Sequence, residues 1–404
     1  MKLLILADFP PDGAGGGATI IRQMLHLFPG RIDWWSTWPS RLSNFVNAHN
    51  SILGRLQCDH LFNASPGFLF PNIRFVRIKV LIMEFLWANY ALSSLFFALA
   101  ISRPDQIWII PHEWSILPFK KFLSLISALG FRIPVHVSIH DFPNTSDRLE
   151  RLGFRVVNKM ALYQRFLYRT ANSRDAISLP MSRALGIQTR SSESLILHAG
   201  LEKSDISYLK RHANVRPPNA PVIIAYAGTI IVEPEFEAFV SAIEKIRFSF
   251  RCGLELRIWS SHSYESRPWF SSSWMTQFTN LPEKKLQQKL RLCDWGFVPM
   301  SFSDQNKAYN RYSFPTKFVT YMSAGLPVIS LGHPKSALMK MTQRFDVGIR
   351  ICSLKEVPFF LKPSLLESRS TRKLYRNEIL RCAEACFDAD KMRISLWNNL
   401  LKKR

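Results

Sequence analysis

Carboxylates are scarce in this sequence. Asp and Glu number 30 against 53 Lys and Arg over 404 residues, for a formal net charge of +23. Such a surface favours anionic partners: nucleotide diphosphates, acidic glycans, anionic membrane surfaces or nucleic acid. Charge by itself does not choose among them. The six cysteines (Cys58, Cys252, Cys293, Cys352, Cys382 and Cys386) form no C-x-x-C pair and no zinc spacing. Reduced thiols of a cytosolic protein are therefore expected, with Cys382 and Cys386 sharing a helix face as packing. No repeat at a solenoid period occurs, and no RRM, zinc-finger or helix-turn-helix pattern supports a nucleic-acid binder. The apolar run at 3–7 stops at Asp8 and two prolines, too short for a signal peptide. The long apolar stretch at 80–100 contains Glu84 and Asn89 and runs into an Arg-Pro-Asp turn at 103–105. It is expected as a buried helix rather than a membrane span, with a monotopic role left open.

What is present has the pattern of an α/β chain, and its length suggests two domains. The run at 3–7 predicts a central parallel strand. Gly15, Gly16 and Gly17 follow, then a helix at 18–27. Strand, glycine loop and helix form a phosphate-cradle arrangement, because glycines allow close backbone approach and a helix start favours anions. G-x-G-x-x-G with a distal acid is not met, so a flexible βα turn is the alternative. Trp34, Trp35 and Trp38 cluster with Arg31 and Arg41, either as packing or as stacking faces for a sugar or membrane. Strands at 107–110 and 135–139 end in Pro111-His112-Glu113 and His140-Asp141. Ligands of doubly wound sheets lie beyond the carboxyl ends of strands, where both His-acid pairs and Asp8 fall.

A helix is expected at 160–171, a short strand and turn at 176–182, and another short strand at 195–200. The proline cluster at 216–221 reads as a linker. Beyond it the pattern restarts: a strand at 222–227, a tight turn at Gly228, a helix at 236–248, a strand at 254–259 and a helix at 286–292. A last helix is expected at about 370–399, followed by a solvated basic tail at 402–404.

The chain is organised around residues 311–330, which read as polar loop, helix, tight turn and buried strand. Pro315 suits a helix start, Gly325 a helix end, and Pro327 stops the helix from resuming. Phe318, Val319 and Met322 predict the buried face, while Lys317 and Thr320 share another edge. A lysine in the first turn makes a plausible phosphate site; an ordinary crossover with a surface lysine is the plainer reading.

Pro315-x-Lys317-x-x-x-Tyr321-Met322-x-Ala324-Gly325-x-Pro327-Val328-Ile329 resembles the donor segment of GT-B glycosyltransferases of the family-4-like group (group 1). Asp294-x-Gly296-x-x-Pro299 is similar to the strand that leads into it. The resemblance implies two Rossmann-like, doubly wound domains facing across a cleft, here 1–198 and 199–384. A helix at 385–404 is expected to pack back on the first. It also implies transfer of a hexosyl group from a nucleotide-diphosphate sugar to a hydroxyl acceptor, with retention. The setting would be cell-surface glycan or polysaccharide synthesis in the cytoplasm, at the inner face of the membrane.

The resemblance makes His140, with Asp141, the sugar-side pair, and Gly16 and Gly17 a backbone cradle. It makes Gly228, Thr229, Arg311, Thr316, Lys317 and Thr320 the donor-binding set. His112 and Glu113 are candidate acceptor contacts. The implied partners are the nucleotide-sugar, a lipid-linked or acidic glycan acceptor and an anionic membrane, without nucleic acid. No cofactor and no metal are expected. Asp388-Ala389-Asp390 spells a metal-binding D-x-D, but falls in a helical region rather than after a strand.

Two departures stand out. After the first strand of the second half, where family members place Arg and Lys on the diphosphate, residues 228–235 offer neither, and add Glu233 and Glu235. The E-x7-E pair falls on Tyr312 and Thr320. Lys317, with Arg311, is the replacement expected from the helix side. A catalytically inactive GT-B scaffold is the alternative.

Overall fold

A computed structural model of the chain describes residues 1–12, 16–38, 58–64, 77–112, 115–142, 154–186, 194–211, 219–302 and 307–401. It divides into two units, Met1–His198 with Lys391–Arg404, and Ala199–Asp390.

The first unit is built on β1 (Lys2–Ala7), β2 (Arg31–Ser36), β3 (Cys58–Asn63), β4 (Gln106–Ile110), β5 (Val135–Ile139), β6 (Ser173–Ala176) and β7 (Ser194–Ile196). They form one parallel sheet in the order β3-β2-β1-β4-β5-β6-β7. The apolar runs predicted as β1 and β4 are central, because a strand covered on both faces tolerates few polar side chains. β2 and β3 carry Arg31, Asp33, Asp59 and His60 and give no such signal. Trp34 and Trp35 of β2 are fully buried, so they are core. The long apolar stretch is the helix Arg77–Ser102, which brings the chain from β3 to β4 and buries Trp87, Ala88, Ala91 and Leu95. No described helix is long and apolar enough to cross a membrane.

The second unit repeats the plan with β8 (Val222–Ala227), β9 (Leu254–Ser260), β10 (Met275–Thr279), β11 (Trp295–Pro299), β12 (Val328–Leu331) and β13 (Gly348–Ile351). The order is β10-β9-β8-β11-β12-β13, again parallel throughout. Phe297 of β11 stacks on Phe239 of the helix Glu233–Ile246, with centroids 3.7 Å apart, and Phe236 tilts against the same ring at 5.7 Å. In each unit the sheet order reverses once beside its first strand, between β1 and β4 and between β8 and β11. Ligands of open α/β sheets bind beyond the carboxyl ends at that point.

Three expectations change. Residues 176–182 are the end of β6 followed by a helix, Leu179–Ala184, because Ser178 caps its start by accepting from the Met181 N–H. The helix expected at 236–248 begins three residues earlier at Glu233, with Pro234 in its first turn. The last helix is two, Arg369–Cys386 and Ala389–Leu401. Leu201 breaks it: its N–H donates to the Phe387 carbonyl at 2.6 Å and its carbonyl accepts from Ala389 N–H at 3.1 Å. The D-x-D pair lies at this break, where Asp388 accepts from Asp390 N–H at 3.1 Å and Asp390 pairs with Lys203 at 3.4 Å. The final helix belongs to the first unit. Arg393 donates to the Gln23 carbonyl at 3.2 Å and Trp397 to the Met24 carbonyl at 2.8 Å. These carbonyls lie in the last turn of the helix Gly16–Leu25, where the Gln23 carbonyl also accepts from His26 N–H at 3.3 Å.

Candidate functional site

The second unit brings Gly228, Thr229 and Lys317 together at the end of β8. Gly228 has φ +106°, and a Cβ there would lie 3.1 Å from Lys317 Cε. The turn is thus glycine both for its backbone and for the lysine stem beneath it. Lys317 is the second residue of the helix Thr316–Ser323. Its ammonium donates to the Tyr226 hydroxyl and, at 3.0 Å, to the Thr229 carbonyl, and lies 4.2 Å from the Tyr226 ring centroid. Burial pushes its pKa from 10.5 down to about 7. Pro315 supplies no capping side chain, which leaves first-turn N–H groups to attract an anion.

The same helix is tied to β8 by Tyr321, whose hydroxyl accepts from Ala227 N–H at 2.9 Å. Tyr321 lies over Gly296: a Cβ on Gly296 would come within 2.4 Å of the Tyr321 ring. The D-x-G-x-x-P pattern thus has a local cause. Asp294 accepts from Ile223 N–H at 2.8 Å and pairs with Arg372, and Gly296 makes room for Tyr321. Arg311 lies on the preceding helix, Lys307–Tyr312. Thr316 and Thr320 are one turn apart, and the Thr320 hydroxyl donates to the Thr316 carbonyl at 3.2 Å. Thr320 therefore presents lone pairs rather than a free proton.

The two carboxylates after β8 have other partners. Glu233 accepts from Trp269 at 3.3 Å and pairs with Arg267 at 3.2 Å. Glu235 is buried and accepts from the Ser301 hydroxyl at 2.6 Å and from Phe302 N–H at 3.1 Å. The sequence placed both in the loop; the earlier helix start turns Glu235 inward.

In the first unit Gly17 lies against His140. A Cβ on Gly17 would be 3.2 Å from His140 Nδ1 and 3.3 Å from the Phe9 ring. Gly16 starts the helix at this end of β1. His140 is 6% exposed, and neither ring nitrogen has a hydrogen-bond partner among the described residues. Burial lowers its pKa, while the charges of Asp175 and Asp141 oppose that shift. The imidazole is therefore neutral at neutral pH, with one donor and one acceptor. Asp141 holds the turn through its carbonyl, which accepts from Gln164 at 2.7 Å.

Asp175 was not singled out from the sequence. It lies on β6 and accepts from His136 Nε2 at 2.7 Å and from the Ser138 hydroxyl, which in turn accepts from Trp108 at 2.7 Å. Asp175→Asn keeps the shape and removes the charge, so the His140 pKa should fall further below its ordinary value. Histidine-labelled NMR titration measures this; an unmoved His140 curve would show that Asp175 acts on the fold alone.

At the ends of β1 and β4, Asp8 and His112 come together. Asp8 is buried, accepts from the Thr37 hydroxyl at 2.8 Å, and lies 3.7 Å from His112 Nδ1. Burial raises its carboxyl pKa against the opposing effects of His112, Thr37 and Ser115. Trp38 is 40% exposed and meets the His112 ring edge-on, with centroids 6.4 Å apart. Its N–H donates to the Asp8 carbonyl at 2.8 Å and its carbonyl accepts from Asn63 at 2.7 Å. Glu113 and Arg41 lie outside the described residues. Among the described residues, no group of three or more His, Cys, Asp or Glu side chains could hold a metal ion.

Residues 239–370 match the family model for the C-terminal domain of glucosyltransferase 3-like proteins. Over 98% of both chains the protein is similar to sucrose-phosphate synthase from Thermosynechococcus elongatus, with TM-score 0.69 and 13% identity. The fold is GT-B. Over 99% of both chains it is similar to the lipopolysaccharide outer core galactosyltransferase WaaB, with TM-score 0.64 and 15% identity. The E. coli trehalose-6-phosphate structure bound with UDP-2-fluoro glucose is similar over 100% of both chains, with TM-score 0.65 and 14% identity. No curated protein matches this GT-B chain in sequence.

Proposed function

We propose that this GT-B protein is a glycosyltransferase that moves a hexosyl group from a nucleotide-diphosphate sugar to a hydroxyl acceptor, with retention. One observation carries the reading: Lys317, held under the Gly228 turn at the switch point of the second unit, at the start of an uncapped helix. That is a cationic cradle where a diphosphate is expected. The similar structure bound with UDP-2-fluoro glucose supports the same donor class.

In transfer, the bond from the anomeric carbon to the diphosphate oxygen breaks with its electron pair on the leaving group. The acceptor hydroxyl bonds to that carbon, and its proton passes to the leaving diphosphate oxygen. The diphosphate gains charge as this happens, and a preorganised cation there lowers the barrier. Protonated Lys317 supplies that charge, so no metal enters the reading. Neutral His140, in the first unit, keeps one donor and one acceptor that none of the described residues engages, as a sugar-side residue requires. Trp38 and His112, at the first unit's switch point, offer an aromatic face and a hydrogen-bonding edge to a glycan or lipid-linked acceptor. The setting we propose is the cytoplasmic face of a membrane, in glycan synthesis.

An inactive scaffold is the second reading. Neither Arg nor Lys follows β8, and Thr320 stands in place of a carboxylate. Calorimetry with UDP-, GDP-, ADP- and CMP-sugars on wild type and Lys317→Ala separates the two. Saturable binding of one nucleotide, weakened by the substitution, supports the donor site and names the base. Folded protein that binds none of the panel leaves the scaffold.

A further inference from the structure

Asp8 follows the central strand β1 and is fully buried. A buried carboxylate is costly unless donors surround it. Its side chain accepts from the Thr37 hydroxyl at 2.8 Å and from the hydroxyl and N–H of Ser115. Its carbonyl accepts from Thr37 N–H at 3.2 Å and Trp38 N–H at 2.8 Å. One residue thus holds two loops, the one after β2 and the one after β4.

Each loop carries a ring that reaches solvent, Trp38 and His112, with their planes 85° apart. His112 is fixed twice. Its backbone N–H donates to the Ser115 hydroxyl at 3.1 Å, and its Nδ1 faces Asp8 Oδ2 at 3.7 Å. It also lies within electrostatic reach of His140 at the end of β5, where its charge opposes protonation of that ring. Thr37 and Ser115 alone would satisfy a carboxylate that served only the fold; the imidazole nitrogen is an additional partner.

A carboxylate oxygen only accepts, so the nitrogen that faces it is the one that carries the proton. In the neutral ring Nε2 is then an acceptor. An acceptor nitrogen beside an indole face suits a hydroxyl on a ring rich in C–H bonds, as in a sugar. That hydroxyl is not the reacting one, whose proton passes to the leaving oxygen. A second hydroxyl is required.

We propose that Asp8 is a positioning residue for the acceptor: it holds the His112 Nδ1–H, so that Nε2 accepts from a hydroxyl beside the reacting one while Trp38 covers the sugar ring. The acceptor class is then a saccharide rather than an alcohol with a single hydroxyl. The inference rests on the transferase reading, but its test uses no donor.

Histidine-labelled NMR on the full chain shows which His112 nitrogen carries the proton. Wild type is expected in the Nδ1–H form. Asp8→Asn, whose amide can donate to Nδ1, is expected to move the ring to the Nε2–H form, which a carboxylate serving only the fold would not do. Methyl α-D-glucopyranoside and methyl α-D-galactopyranoside are then titrated, with propanol as the single-hydroxyl control. The glycosides should shift the His112 ring and Trp38 indole signals, and propanol neither. Asp8→Asn and His112→Gln should each bind the glycosides roughly tenfold more weakly, the cost of one hydrogen bond. Circular dichroism checks that each variant is folded. Calorimetry with the nucleotide-sugars separates the two readings: no donor binding by wild type would sink the transferase, while the His112 proton and the glycoside titrations still decide the role of Asp8. An Nε2–H ring in wild type would overturn the inference. So would an unmoved ring in folded Asp8→Asn, glycosides that leave wild-type His112 and Trp38 unshifted, or full glycoside binding by folded His112→Gln.

Discussion

Lys317→Met is expected to slow sugar transfer by roughly a hundred- to a thousandfold, the cost of removing one preorganised charge from a leaving-group site. Methionine keeps the unbranched stem that packs under Gly228, so the turn should survive. The pH dependence gives a second readout. With its pKa pushed to about 7, Lys317 in the free protein carries its proton below pH 7 and loses it above. A bound diphosphate favours the charged form. Donor binding above pH 7 must therefore take up a proton, and apparent affinity should fall by about tenfold per pH unit until the pKa of the complex is reached. Calorimetry in buffers of different ionisation enthalpy reads that uptake directly; binding that is flat from pH 6 to 9 would exclude Lys317 as the diphosphate cation.

Stability should move the other way. The unfolded lysine titrates at 10.5 and the folded one at about 7, so between those values the unfolded chain binds more protons. Wild-type stability therefore rises with pH across that window and is lowest, from this group, below pH 7. Lys317→Met lacks this penalty and should melt higher than wild type at neutral pH while losing transfer. Loss of both activity and melting temperature would instead mean that the substitution damages the fold.

Gly296→Ala is expected to destabilise the second unit by about 3 kcal/mol, at the upper end of the usual cost of overpacking. The new methyl would sit 2.4 Å from the Tyr321 ring, which is fully buried and cannot swing away. Either Tyr321 or the helix Thr316–Ser323 must shift. Both routes disturb the Tyr321 hydroxyl bond to Ala227 N–H, and with it the seat of Lys317. Urea denaturation gives the stability change, and donor calorimetry on the remaining folded protein gives the functional one. An unchanged urea midpoint would mean the ring has room that its packing does not show.

Much of the site is local enough to be read along the chain. Pro315, Lys317, Gly325 and Pro327 mark loop, helix and turn by backbone preference alone, and the observed helix and strand follow them closely. Gly17 and His140 were separately expected, each from its place after a strand. Their contact required β1 and β5 to lie on either side of β4, which no spacing encodes. The strands that carry no apolar run have two causes: β3 and β10 are edge strands, covered on fewer sides, while β2 is buried and holds Asp33 by pairing it with Lys2 and His60 at 3.0 Å each. The break before Ala389 is invisible in helical periodicity, because it is made by Leu201, remote in sequence.

The sequence by itself determined the class of the chain. Short apolar runs bounded by turn signals read as buried parallel strands, and the small-Gly-x-Pro turn fixed where the helix Thr316–Ser323 ends. The tertiary structure decided the electrostatics. Glu233 and Glu235 read as a repulsive pair, but one pairs with Arg267 and the other turns inward to Ser301 and Phe302. Lys317 read as a charged lysine, on a phosphate or at the surface, but packing under Gly228 and against Tyr226 buries it, and burial pushes its pKa to about 7. A residue's type sets which charge it can carry, while desolvation and neighbours set whether it carries it, and these arise only when distant segments meet.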